Sequence, residues 1–272
     1  MPKIKTVPVY STAIITISML MVTVFFNLQT WTSSATDSTP PVIKESAEEE
    51  RIEAAEVINP EPEPEIQEEP PFEGNINSLF INEIIDFLDF LQAPIAGAAI
   101  HMTNGQLPGA PRSYRNGTHQ GVDFYNGFSG TTIARGTPVL AAAAGEVIRI
   151  DHSYIEMTSD ERAEYHSISA AAVTTPDYLL DKYRGRQVWI KHQDQVITRY
   201  AHLDTVESEL SVGDYVLGGS QIGTVGNSGT GPAITGENKE MHLHFEIWLN
   251  ENYLGQGLAA DDIRHILRQI LK

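Results

Sequence analysis

The stretch "RQVWIKHQDQVITRYAHL", residues 186–203, decides the fold class. It alternates in two runs around Gln193-Asp194, the period-two pattern of a hairpin with one face buried. Working outward, "TPVLAAAAGEVIRI" (137–150) reads as two strands around Gly145. "SVGDYVLGGSQIGTVGNSGTG" (211–231) carries glycines at turn spacing, and "LHFEIWL" (243–249) is one more strand. Between Asp151 and Gly185 lies a helical insertion. Thr158 and Glu161 have the spacing of a capping box, and "TTPDYLLDKYRG" enters a helix at Pro176 and closes on Gly185. A last amphipathic helix uses Ile263, Ile266, Leu267, Ile270 and Leu271. Beyond residue 118 the chain therefore predicts a mainly β domain with peripheral helices.

The chain has 272 residues, 41% of them hydrophobic, which is enough for one sizeable core plus appendages. Its formal charge of −18 argues against a nucleic-acid binder, which needs a basic face to meet phosphates. Residues 44–73 hold twelve Glu and carry −10 of that charge, leaving −9 for residues 74–272. There is no cysteine, so disulfides, thiolate zinc clusters and Cys nucleophiles are excluded, and any metal site is built from His, Asp and Glu.

The N-terminal residues 1–31 begin with Lys3 and Lys5 and then run without a charge to Trp31. Val7 to Phe26 has the length to cross a bilayer as a helix, and the preceding lysines place the N-terminus in the cytoplasm and export the rest. Two readings stand, a signal anchor or a signal peptide cut after "SSA" near Ala35. Either puts the remainder outside the cytoplasm, in the cell envelope. Residues 32–75, with alternating Pro and Glu, read as a disordered acidic spacer. Residues 76–104 follow as a docking helix and lead-in, with Leu79, Phe80, Ile84, Phe87, Leu88 and Leu91 at helical spacing and Pro94 past the end. The main domain spans 105–255, with its insertion at 152–184, and a C-terminal helix covers 256–272.

In "MHLHFEIW" (241–248), His242 and His244 are two apart on a strand and face one space. They read either as a metal ligand beside a catalytic group or a second ligand, or as satisfied polar residues on an exposed sheet face. In "NGTHQGVDFYNG" (116–127), His119 and Asp123 are four apart, but Gly121 argues for a turn entering a strand rather than a helix. His202 in "RYAHLD" ends a predicted strand. The other five histidines (101, 152, 166, 192 and 265) take the solvated or structural reading. Each short motif alone is weak. Together the three stretches supply two imidazoles and a carboxylate, the set a catalytic zinc favours with a fourth position open, and two further imidazoles able to move a proton.

The segments "LPGAPRSYRNGTHQGVDF", "GTPVLAAAAGEVI", "TRYAHL", "VGDYVLGGSQIGTVGNSGTG" and "MHLHFEIW" resemble, in order and spacing, the LytM/lysostaphin-type zinc metalloendopeptidases, bacterial enzymes that cut peptidoglycan peptides. The resemblance covers about residues 105–250. It implies a compact antiparallel β core whose groove carries one zinc ion, with His119, Asp123 and His244 as ligands. His242 and His202 would be catalytic, with zinc-bound water as nucleophile and stem peptides or cross-bridges of peptidoglycan as substrate. The alternative within the same resemblance is a non-catalytic regulator that activates a separate cell-wall amidase, but all five groups are retained, which favours the enzyme. The insertion at 152–184 departs from minimal members and is expected to form a helical wall beside the groove. Related enzymes can also be held latent by an upstream Asn, for which Asn77, Asn82 and Asn104 are candidates.

Overall fold

In the computed structural model, residues 72–272 are described. The expected membrane segment and nearly all of the acidic spacer lie outside the described residues. Among the described residues no helix is long and apolar enough to cross a membrane.

The apolar spacing from Ile76 predicts one continuous helix, and the chain does otherwise. It forms a 3-10 turn at Ile76–Ser78 and then α1 at Ile81–Phe87, only seven residues long. Phe80 stays extended as the N-cap, its N–H donating 2.8 Å to Glu83 Oε2, and its ring is 81% exposed. After Leu88 the backbone is drawn into tertiary pairing instead. Gln92 N–H donates to Ala142 O and Leu140 N–H to Pro94 O, each at 2.8 Å. Satisfying these buried backbone groups outweighs another helical turn. Ile84, Leu88 and Leu91 nevertheless enter the same core as the sheet.

A small ribbon of β1 (Pro111–Arg112) and β2 (Gly117–Thr118) leads into β3 (Val122–Tyr125). Next come β4 (Pro138–Leu140) and β5 (Gly145–Ile150), which join different sheets. The insertion follows. Helix α2 (Ser159–Ala171) is capped by Thr158, whose side chain accepts from Glu161 N–H, while Glu161 accepts in return from Thr158 N–H. Helix α3 (Asp177–Arg184) starts after Pro176 and stops at Gly185, whose φ of +69° suits glycine.

The hairpin pair β6 (Val188–Lys191) and β7 (Val196–Ala201) is antiparallel, turned by a 3-10 segment at Gln193–Gln195. It is followed by β8 (Leu203–Val206), β9 (Tyr215–Val216), β10 (Gln221–Val225), the short helix α4 (Gly231–Ile234), β11 (His242–Leu249), β12 (Asn252–Tyr253) and α5 (Ala260–Ile270). The main sheet runs β12-β11-β7-β6-β5-β9, with β3 also paired to β11, and a second sheet runs β4-β10-β8. All these pairings are antiparallel. The mainly antiparallel β architecture read from the sequence is thus present.

Strand β11 carries the architecture. Leu243, Phe245, Ile247 and Leu249 face the core, against Phe124, Tyr200 and the apolar side of α5. Its other face bears His242, His244 and Glu246, which are also buried, because the insertion and the lead-in cover them.

Candidate metal centre

The register of β11 assembles the site. His244 lies directly opposite Asp123 on β3 and opposite Ala201 on β7. Directly opposed residues of an antiparallel pair share a face, so Asp123 and His244 meet across the strands. Gly121 permits the approach: a Cβ there would sit 2.4 Å from Phe245 O. His119 lies just before β3, in a loop pinned by His119 N–H to Ala110 O and Gly109 N–H to His119 O, both 2.8 Å. His202 follows the last residue of β7 and takes a left-handed backbone, φ +60°. Simple alternation would aim it away from Ala201's face. The left-handed residue turns its ring back over the groove, 4.6 Å from His242 and 5.7 Å from His244 between centroids. A non-glycine residue at such a φ stores strain, which concentrates at functional sites.

The three expected ligands converge. His119 Nε2 and His244 Nδ1 lie 2.9 Å apart and stand 2.9 and 2.8 Å from Asp123 Oδ1. Their far nitrogens fix the tautomers. His119 Nδ1 faces Leu107 O at 3.0 Å, and a carbonyl only accepts, so the proton sits on Nδ1. His244 Nε2 faces Glu246 Oε1 at 2.8 Å, so its proton sits on Nε2. Both inward nitrogens therefore present lone pairs to each other and to a carboxylate oxygen, an arrangement that demands a cation at their common point. Two imidazoles and one carboxylate, all buried and leaving a coordination position open, fit zinc.

The electrostatics agree. Burial pulls His119 down to about 4, so the ring is neutral at pH 7. Burial opposes positive charge on His244, yet the carboxylates of Asp123 and Glu246 outweigh it and raise its pKa, so the position at Nδ1 favours positive charge, whether a proton or a metal ion. Asp123 is held well below the usual carboxylate range by His119 and its neighbours, against the effect of burial. Burial also lowers His202 and His242. Each of these two donates from Nδ1 to a backbone carbonyl, Ser228 O or Glu240 O, at 2.7 Å, so their Nε2 lone pairs are available. Tyr125 stacks on His242 at 4.2 Å.

The structure thus brings all five expected residues to one groove of about 510 Å³. The insertion forms one wall of it through Arg162, His166, Tyr183 and Arg184. His166, expected to be solvated or structural, lies on that wall. His192 is buried in a separate polar chain, and His101 and His265 are exposed. None of the three candidate asparagines lines the groove. Asn77 holds the Tyr253–Gly255 turn, Asn104 accepts from Arg264 at 2.5 Å, and Asn82 sits exposed on α1.

Two supporting residues were missed. Glu246, 1% exposed, accepts from His244, from Arg184 Nε at 2.7 Å and from Trp248 Nε1 at 2.6 Å. Extending the alternation of His242 and His244 by one step would have found it. Arg112 donates to Asp123 Oδ2 at 3.2 Å, holding Oδ1 toward the imidazoles. It reaches across a loop, and no spacing announces it.

Comparison with known proteins finds several similar chains. An "uncharacterized metalloprotease" of Buchnera aphidicola is 27% identical over 146 residues, 53% of this chain. The chain spans 27% of that relative's length. Among solved structures, a putative peptidase M23 from Pseudomonas aeruginosa matches at 20% identity and TM-score 0.36, over 68% of this chain and 52% of the other. The catalytic domain of the prophage-encoded M23 protein EnpA from Enterococcus faecalis matches at 20% identity and TM-score 0.37, over 61% and 93%. The catalytic domain of lysostaphin from Staphylococcus simulans matches at 20% identity and TM-score 0.32, over 62% and 86%. The sequence profile of Peptidase family M23 matches residues 117–255, just over half of the chain and all five of the expected ligand and catalytic residues, and the chain belongs to that family.

Proposed function

We propose that the protein is a zinc-dependent endopeptidase that hydrolyses peptide bonds in peptidoglycan stem peptides or cross-bridges. The observation that carries this reading is the convergence of three lone-pair donors, His119 Nε2, Asp123 Oδ1 and His244 Nδ1, beside two neutral imidazoles with open Nε2 atoms. Zinc held by those three donors supplies Lewis acidity, lowering the pKa of a water and polarising a carbonyl.

The remaining work falls to the chain's own groups. His202 and His242 stand side by side, both neutral, and share two duties: accepting the proton of the attacking water and hydrogen-bonding the developing oxyanion. The accepted proton then passes from Nε2 to the amine nitrogen as the C–N bond breaks. Tyr125 and the backbone carbonyls of Ser228 and Glu240 hold the two rings in place. The groove floor buries these groups, so water competes little for their hydrogen bonds. The charge-free N-terminal stretch and the acidic spacer support a working position outside the cytoplasm, anchored at the membrane or released after cleavage near Ala35.

The test is zinc content together with muropeptide release from purified sacculi. Asp123→Ala and His244→Ala lose both zinc and hydrolysis. His202→Ala retains zinc and loses at least about 10²-fold in rate. Digestion of sacculi by the metal-free double variant would overturn the mechanism. Zinc-loaded wild type that releases nothing but stimulates a cell-wall amidase would establish the regulator instead.

A further inference from the structure

The groove is electropositive in an acidic protein. Four arginines line it (Arg112, Arg115, Arg162 and Arg184) against three carboxylates, whereas residues 74–272 as a whole carry −9. Two of the arginines are accounted for: Arg112 pairs with Asp123, and Arg184 with Glu246. Arg115 and Arg162 have no carboxylate partner among the described residues.

Arg115 is only 6% exposed, and its guanidinium donates to neutral oxygens, Thr175 Oγ1 at 3.0 Å and Thr118 O at 2.7 Å. A buried cation without a counter-charge is costly, and burial accordingly lowers its pKa. Arg162, on the first turn of α2, donates Nη1 to Gly229 O at 3.1 Å. Its Nε and Nη2, the edge of the fork that grips a carboxylate side-on, donate to nothing among the described residues.

The surroundings hold Arg162 ready. Its guanidinium lies 5.7 Å from the centre of the Tyr183 ring, which is 5.7 Å from His166, itself 5.9 Å from Tyr114. His166 Nε2 is buried and has no hydrogen-bond partner. The insertion therefore brings an unpaired guanidinium edge and an unsatisfied imidazole nitrogen to the wall of a groove whose floor holds a second guanidinium without an anion.

We infer that Arg162, backed by Arg115 and the Tyr114–His166–Tyr183 row, forms a carboxylate-binding subsite that selects peptides bearing a free acidic group near the bond presented to the metal centre. This rests on the reading of the groove as a peptide site and names the chemistry of the peptide it takes. A guanidinium–carboxylate pair also orients the chain, because the fork accepts a carboxylate in one plane.

The experiment uses the full-length, zinc-loaded protein carrying His202→Ala to slow turnover. The probes are a peptidoglycan stem pentapeptide with its carboxylates free and the same peptide with them amidated, titrated by calorimetry. The free acid is expected to bind about 10- to 100-fold tighter, the worth of one charged hydrogen-bonded pair. Arg162→Gln should collapse that ratio toward one, and Arg162→Lys should recover part of it. Equal affinity for the two peptides, or a preference that survives Arg162→Gln, would overturn the subsite. Acid preference in a wild type that cuts nothing would keep the subsite and sink the peptidase reading, and cutting without acid preference would do the reverse.

Discussion

Replacing Glu246 with Gln tests the site through a residue that does not itself face the ion. The carboxylate takes three close donors and a fourth at longer range: His244 Nε2 at 2.8 Å and Arg184 Nε at 2.7 Å on Oε1, Trp248 Nε1 at 2.6 Å and Arg184 Nη2 at 3.2 Å on Oε2. A glutamine has the same shape but must place an NH2 on one of those two edges. On the Oε1 side it faces the His244 N–H and forces that ring toward the other tautomer, which puts a proton on Nδ1, the inward nitrogen. On the Oε2 side it faces Trp248 and Arg184, and the carboxylate's charge is lost beside a nearly buried guanidinium in either case. Losing an outer partner of a ligating histidine weakens metal binding by about 10- to 100-fold, which is about 1.4–2.8 kcal/mol. Leaving Arg184 without its partner adds a stability cost of up to about 3–5 kcal/mol. The assay is competition for zinc with a chromophoric chelator, alongside circular dichroism to confirm folding. A folded Glu246→Gln protein whose zinc affinity stays within twofold of wild type would refute the role given to this carboxylate.

Gly121→Ala pushes a methyl group into Phe245 O and should part β3 from β11, costing about 1–3 kcal/mol and lowering zinc affinity; unchanged melting temperature and metal content would count against the register argument. Ile84→Ala, at a side chain with no exposure, should destabilise by about 2–5 kcal/mol in urea unfolding if the segment before residue 105 belongs to the main core. His192 Nδ1 donates to Ala144 O at 2.9 Å, its Nε2 lies 2.7 Å from Thr198 Oγ1, and burial lowers its pKa. The unfolded chain therefore takes up its proton first, near pH 6.5, so this contribution is full above that pH and is lost as the pH falls toward the lower folded value. His192→Gln should accordingly show a shallower loss of stability between pH 7.5 and 5 than wild type; parallel curves would contradict it.

The legibility of the chain followed the range of the interactions. Caps and turns are settled within a few residues, and the Thr158–Glu161 box, the stop at Gly185 and the β6–β7 hairpin all lie where the sequence places them. The helix expected from Ile76 failed in length because its C-terminal part exchanges helical hydrogen bonds for pairing with Leu140 and Ala142, residues about fifty positions away. His166, read as solvated or structural, lies on the groove wall, and nothing local tells whether a histidine on a helix looks outward or into a groove built by other segments.

Residue chemistry and strand period, read from the sequence alone, determined that this protein is mainly β, that it could bind a metal only through His, Asp and Glu, and that His242 and His244 share a face. Those properties reside in single side chains and in the two-residue repeat of an extended backbone. Only the tertiary structure decided that Asp123 sits opposite His244, that a left-handed residue returns His202 to the groove, and that Glu246, Arg112 and the arginines of the insertion surround the site. Register, backbone handedness at one position and the packing of an inserted helix pair are set by contacts between distant segments, where no spacing along the chain records them.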